Sequence, residues 1–144
     1  MIPRKHYAFI VANVPILCID LLVSWRSKYL LVKRENEPLA GKFWPPGGRV
    51  LRGEHLAEAV TRILEAETGI ESLADAPERF PGTFEGFFKK TAANPRSGIH
   101  TVSIVYRMRL PNDVIPAIRL DEQSSAYKWS YSLPAMFVRN LTTL

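Results

Sequence analysis

Apolar and polar positions along the chain fall into short runs of strand length and one longer stretch with a helical period. The run Ile16-Leu17-Cys18-Ile19-Asp20-Leu21-Leu22-Val23 is followed by a polar turn at 24–28 and by Tyr29-Leu30-Leu31-Val32-Lys33-Arg34. Two apolar runs about a short polar turn predict a β-hairpin. Upstream, residues 8–19 form an apolar stretch after Arg4 and Lys5, interrupted by Asn13 and Pro15 and continuing through Asp20 without a cleavage site. It is read as a strand entering a sheet rather than as a leader.

Residues 35–41 form a loop containing Asn36, Pro38 and Gly41, after which Phe43-Trp44 runs into the tight turn Pro45-Pro46-Gly47-Gly48. From 55 to 68 there is no Gly or Pro, and Gly69 stands where helices commonly end. This predicts a helix about 21 Å long. Residues 99–110 alternate as a strand, 127–129 form a short strand, and 132–140 are expected to close the chain as a helix, with loops at 94–98 and 119–125. Strands flanking a helix suggest an α/β (α+β) mixed sheet with helices packed on it.

The central helix carries the most informative residue. At 100° per residue Leu56, Val60, Ile63 and Leu64 share a face, Glu54, Glu58, Arg62 and Glu65 lie opposite, and Glu58 and Arg62 are spaced for an ion pair. Glu67 points into the apolar sector in the last turn, where both burial and the helix dipole disfavour a negative charge. An arginine, water or a cation would resolve this. The preceding glycines favour a cation, because bare backbone at Gly47 and Gly48 could add a carbonyl oxygen to the carboxylate, and magnesium completes such a sparse cage with water and phosphate oxygens.

Composition narrows the field. The chain has 144 residues, enough for one compact domain, and a net charge of +5 from 19 basic and 14 acidic residues. Its arginines are scattered, which argues for one anion pocket over a nucleic-acid surface. Cys18 is the only cysteine, so neither an internal disulfide nor a cysteine metal site is possible, and the cytoplasm is the expected compartment. No segment is apolar and long enough for a membrane span.

Gly48, Glu54, Arg62, Leu64, Glu67, Gly69 and Ile70 have the spacing of the Nudix box. The chain resembles the Nudix hydrolases, with two departures: the acidic residues usual directly after the arginine and directly before the last glutamate are Ile63 and Ala66. Both losses are shared by the GDP-mannose mannosyl hydrolase branch. The similarity to that branch extends through residues 15–49, with Pro-Gly-Gly-Arg at its end, and through Asp121-Glu122-Gln123 and Tyr127-Lys128-Trp129. The resemblance implies a Nudix fold, a mixed β-sheet sandwiched between helices, with the strand-loop-helix-loop box at 47–70 in a single domain over 1–144.

It further implies a homodimer and one magnesium ion, with manganese as the alternative, held by the Gly47 carbonyl, Glu67 and Gln123. The implied reaction is hydrolysis of a GDP-sugar, GDP-mannose or GDP-glucose, by water attack at the anomeric carbon with release of GDP and free sugar. Arg34 and Arg49 would bind the diphosphate, Asp20 the sugar, and Tyr7 would border the guanine, while residues 87–98 and the N-terminal segment line the pocket. The branch's base histidine is Ser124 here, and its tyrosine and second histidine fall at Thr101 and Gly86. Glu122, Asp121, Glu85 and His100 are left as candidate bases. Two other readings stay open: a pyrophosphohydrolase of a nucleoside diphosphate derivative, and a nucleotide-sugar-binding homologue of low activity.

Overall fold

The computed structural model describes residues 1–143. Helix α1 (Arg4–Asn13) leads into β1 (Ile16–Trp25), β2 (Lys28–Arg34), β3 (Phe43–Trp44) and β4 (Gly47–Arg49). Then follow α2 (Leu56–Thr68), β5 (Glu78–Phe88), β6 (Ile99–Arg109), β7 (Ser124–Ser130), α3 (Ala135–Arg139) and β8 (Leu141–Thr143). The strands form one mixed sheet of order β3-β2-β1-β6-β5-β8, with β4 added on β1 and β7 on β2. The β1–β6 pair is parallel, and the other pairs are antiparallel.

The hairpin of β1 and β2 is paired only at its base, through Ser24 with Tyr29 and Trp25 with Lys28. Beyond that the two strands part. β1 takes β4 as its neighbour over Cys18–Asp20, while β2 takes β7 and β3. The Pro45-Pro46 link crosses the opening and is tied to β1 by Leu21 N–H donating to the Pro46 carbonyl at 2.8 Å.

Period-two alternation on β1 gives the sheet two different faces. Ile19, Leu21 and Val23 pack with Ala59, Val60, Ile63 and Leu64 of α2 and with Met108 and Leu110. On the other face Leu22 and Val105 pack with Trp44, Phe84 and Phe137 of α3. Phe137 stacks on Phe84 with ring centroids 4.9 Å apart and meets Trp44 edge-on at 5.4 Å. The sheet is thus covered by helices on both sides.

Several expectations are corrected. Residues 4–13 are helical, so the strand begins only after Pro15. Tyr7, Val11 and their neighbours fit a helical period as well as an extended one, and Pro3 and Pro15 fence them off as a unit. β5 was not foreseen, because Pro81 and Gly82 break its alternation at the register shift between Arg79 and Thr83. The closing helix shrinks to five residues behind Pro134, and β7 is longer than expected, beginning at Ser124.

The expected Glu58–Arg62 ion pair is absent among the described residues. Glu58 instead accepts the His55 backbone N–H at 2.8 Å in a capping box, and Arg62 bonds Glu54 at 2.6 and 2.9 Å and the Arg49 carbonyl at 2.9 Å. Satisfying the helix's first N–H groups outweighs a solvent-exposed pair, which is worth little. Among the described residues no helix is long and apolar enough to cross a membrane.

Phe137 is wholly buried. Truncation by Phe137→Ala is expected to cost about 3–5 kcal/mol in urea unfolding, and a loss below about 1 kcal/mol would show that α3 is not part of the core.

Candidate active site

Where β1 and β2 part, a cavity of about 450 Å³ opens. Its floor is a polar stripe on otherwise apolar strands. Cys18 and Asp20 come from β1, and Thr101 and Ser103 from β6; all four line the cavity. Thr101 pairs with Ile16, and Ser103 with Cys18, so the two pairs lie side by side. Farther along the same face, Leu22 and Val105 turn the stripe apolar beneath α3. Trp44, Phe84 and Phe88 supply an aromatic wall.

The glycine turn brings backbone to this floor. Gly47 lies opposite Asp20 in the β1–β4 pairing, and a Cβ added there would fall 2.5 Å from Asp20 Oδ1 and 2.6 Å from the Ile19 carbonyl oxygen. Any side chain would force β4 off β1. Arg49 closes β4 with its guanidinium 4.2 Å from the ring centroid of Tyr7, which α1 places over the cavity edge. At the end of β2, Arg34 lines the cavity, and its Nε donates to the Pro38 carbonyl at 2.7 Å.

The last turns of α2 reach the same cavity through the opening in the sheet. Ile63, Ala66 and Glu67 all line it. Arg62 fastens the helix to β4 through the Arg49 carbonyl, and Glu54, which accepts from Arg62 and from Leu51 N–H, is held down to about 2. Gln123 completes the lining. The rim is one hydrogen-bonded belt: Asn94 Nδ2 donates to the Ala8 carbonyl of α1 at 3.2 Å, and Ala92 N–H donates to the Glu37 carbonyl at 3.2 Å.

Burial dominates the electrostatics. Asp20, only 7% exposed, is pushed up to about 6 by loss of solvent, against the lowering effect of the Ser103 hydrogen bond and the Arg34 charge. Glu67 is pushed up to about 8, first by burial and then by the carboxyl of Asp121, with which it shares a hydrogen bond. Burial also raises the Cys18 thiol to about 12 and raises the Tyr7 phenol.

Tyr7, Asp20, Arg34, Gly47, Arg49, Glu67 and Gln123, all singled out in the sequence, converge on this one cavity. The candidate bases separate. Asp121 touches Glu67, whereas Glu85 and Glu122 are exposed. His100 stacks on Phe87 at 4.3 Å, with its Nε2 buried and unpartnered among the described residues. Ser124 begins β7 opposite Arg34 and is not among the residues lining the cavity. Thr101 and Gly86 are direct partners in the β5–β6 ladder. The sequence reading missed Ser103, Cys18 and the aromatic wall; polar residues two apart on apolar strands were the available signal.

Among the described residues no three His, Cys, Asp or Glu side chains cluster, so a metal here would rely on neutral oxygens as well as carboxylates. Glu67, Gln123 and backbone carbonyl oxygen at this cavity would offer a metal only oxygen donors, a chemistry that suits magnesium or manganese. The glycine pressed against β1 fits that use, since it is what lets backbone reach the cavity.

A mixed sheet between helices, with a glycine turn and a glutamate-bearing helix at one cavity, defines an α/β protein with one polar cleft. The NUDIX domain family matches residues 17–133, and the chain belongs to that family as a Nudix hydrolase. It is 32% identical over 127 residues to the low-salt glycan biosynthesis protein Agl8 of Haloferax volcanii, covering 88% of this chain and 78% of that one. It is 34% identical over 92 residues to an ADP-ribose pyrophosphatase of Methanocaldococcus jannaschii, covering 64% of this chain and 49%, about half, of that protein. The MutT NUDIX hydrolase structure from Burkholderia pseudomallei superposes with a TM-score of 0.68 at 22% identity over 89% of this chain and 96% of its own, which shows the shared fold.

Folded-state values above the ordinary 3.8 and 4.5 mean that folding favours the protonated forms of Asp20 and Glu67. Their contribution to stability is full below about pH 4 and is lost as pH rises through about 6 and then about 8. For Asp20 the loss is ~3 kcal/mol. Urea unfolding of the metal-free protein between pH 4 and 8 should show this decline, and Asp20→Asn should flatten its lower half. An unchanged profile in the variant would contradict the assignment.

Proposed function

We propose that the chain is a divalent-metal-dependent hydrolase of a nucleoside-diphosphate sugar, GDP-mannose or GDP-glucose, directing water to the anomeric carbon and releasing free sugar and GDP. The observation that carries this reading is the presence of Ile63 and Ala66 beside Glu67 in the cavity lining. Carboxylates at those two positions would recruit further metal and activate water for attack on phosphorus. Here α2 brings Glu67 alone to that part of the wall, which favours breakage of the bond between sugar and diphosphate.

In this reading Glu67, Gln123 and the Gly47 carbonyl hold magnesium, or manganese in its place. When bound, the ion withdraws charge from the departing diphosphate. Arg34 and Arg49 bind phosphate oxygens, for which the guanidinium fork is suited. Tyr7 keeps the Arg49 guanidinium over its ring and borders the base. Asp20, largely ionised at neutral pH although burial raises it to about 6, accepts hydrogen bonds from sugar hydroxyls, and Ser103 fixes its orientation. The aromatic wall keeps water from the rest of the sugar. Ser124 supplies no base, since a hydroxyl does not ionise near neutral pH, so turnover falls below that of a histidine-bearing site by about 10²- to 10⁴-fold. The chain acts as a homodimer, a reading supported by the exposed apolar side chains Ile2, Phe9 and Val14 on and beside α1.

Similarity to a protein named for glycan biosynthesis supports a sugar-bearing substrate. Similarity to an ADP-ribose pyrophosphatase favours a second reading, cleavage within the diphosphate. Incubation with magnesium and GDP-mannose, GDP-glucose or ADP-ribose, followed by product separation, decides between them. Free sugar with GDP is the expected outcome. Sugar phosphate with GMP, or AMP with ribose phosphate, would establish the second reading. Magnesium-dependent binding without product would refute both as activities. Arg34→Ala should lower kcat by about 10²- to 10³-fold if the arginine stabilises charge developing on the diphosphate.

A further inference from the structure

The segment between β6 and β7 crosses the C-terminal end of α2 and is tied to the fold on either side of Asp121. Arg119 N–H donates to the Thr68 carbonyl at 2.8 Å, and Glu35 N–H donates to the Gln123 carbonyl at 2.9 Å. Gly69, at φ 71°, makes the crossing possible: a Cβ there would lie 2.9 Å from the Arg119 Cβ. Between these ties Asp121 closes a turn, its Oδ1 accepting Gln123 N–H at 3.0 Å. Its carboxyl shares a hydrogen bond with that of Glu67. Backbone ties therefore set two carboxyls in contact at the end of a helix whose dipole disfavours anions.

We propose that Asp121 is a ligand of the divalent metal, supplying from the loop the second carboxylate that Ala66 removes from the helix. This rests on the reading of Glu67 and Gln123 as metal ligands. Of the other carboxylates of the box, Glu54 is engaged by Arg62 and Leu51 N–H, Glu58 by His55 N–H, and Glu65 is exposed. Neighbouring Glu122 is exposed. With Asp121 the donor set holds two anionic oxygen groups and two neutral ones, matching the charge of a divalent ion. Two carboxyls held in contact offer a divalent ion paired oxygen donors. The turn also couples the two loop ligands, because Asp121 orients the residue that carries the Gln123 side chain.

The test is titration of Mn²⁺ into the metal-free full chain, read by calorimetry and by the spin-resonance signal of free Mn²⁺. Asp121→Asn keeps the turn's acceptor and removes the charge. Its Kd should rise at least about tenfold, whereas Glu122→Gln should leave Kd unchanged. With saturating Mn²⁺, Asp121→Asn should gain less in Tm than the parent protein does. Equal Kd for the parent and Asp121→Asn, with binding abolished by Glu67→Gln, would overturn the role of Asp121 and leave the metal site standing. Absence of Mn²⁺ binding by the parent would overturn both.

Discussion

The parting of β1 from β2 just beyond their turn is the constraint on which the site depends. A hairpin paired along its full length would fill the middle of the sheet with a continuous ladder. Here β1 is held by β6 in parallel register over nine residue pairs, and its free edge is taken by the short β4 in place of β2. That substitution needs a residue without a side chain opposite Asp20, and Gly47 provides it. Once β4 is seated, Arg62 ties α2 to it through the Arg49 carbonyl, and the helix end carrying Glu67 faces the opening. Glycine contact, strand exchange, helix placement and cavity thus form one chain of dependence.

The opening also concentrates opposing charges. Asp20 and Glu67 lie in a poorly solvated space with Arg34 and Arg49 at its edge. Low local dielectric strengthens every interaction there and makes each unpaired carboxylate expensive. The tension falls mostly on Glu67, which shares a hydrogen bond with another carboxyl, while the arginines sit against a phenol ring and a loop carbonyl. Such a space is suited to a cation on one side and an anion on the other.

What could be read from the sequence was what is local. The box from Gly48 to Ile70 holds its turn, helix, cap and terminator within a few turns of chain, so its spacing carried the family and the placement of Glu67. Arg34 and Arg49 came from the family resemblance, and both strand ends that carry them line the cavity. Helix α1 was misread because its apolar residues satisfy two periods at once, and only Pro15 marks the boundary. β5 was hidden by Pro81 and Gly82, which its irregular pairing absorbs. Arg62 was given the wrong partner because helical spacing favours Glu58, four residues away, whereas Glu54, eight residues away, comes within reach only through the turn before the cap. The position of Asp121 was beyond reach, being set by backbone bonds to Thr68 and Glu35 that join distant segments. The polar stripe Cys18, Asp20, Thr101 and Ser103 was visible in halves, but its meaning arises only when β1 lies beside β6.

That last pairing joins segments from the first and last thirds of the chain. Closing so long a loop carries a large entropic penalty before any contact compensates it, and parallel pairs with distant partners form slowly. Half of the cavity floor therefore has no existence in local fragments or early collapsed states, whatever helices they contain. Binding competence accordingly requires the completed topology and is no measure of the amount of secondary structure.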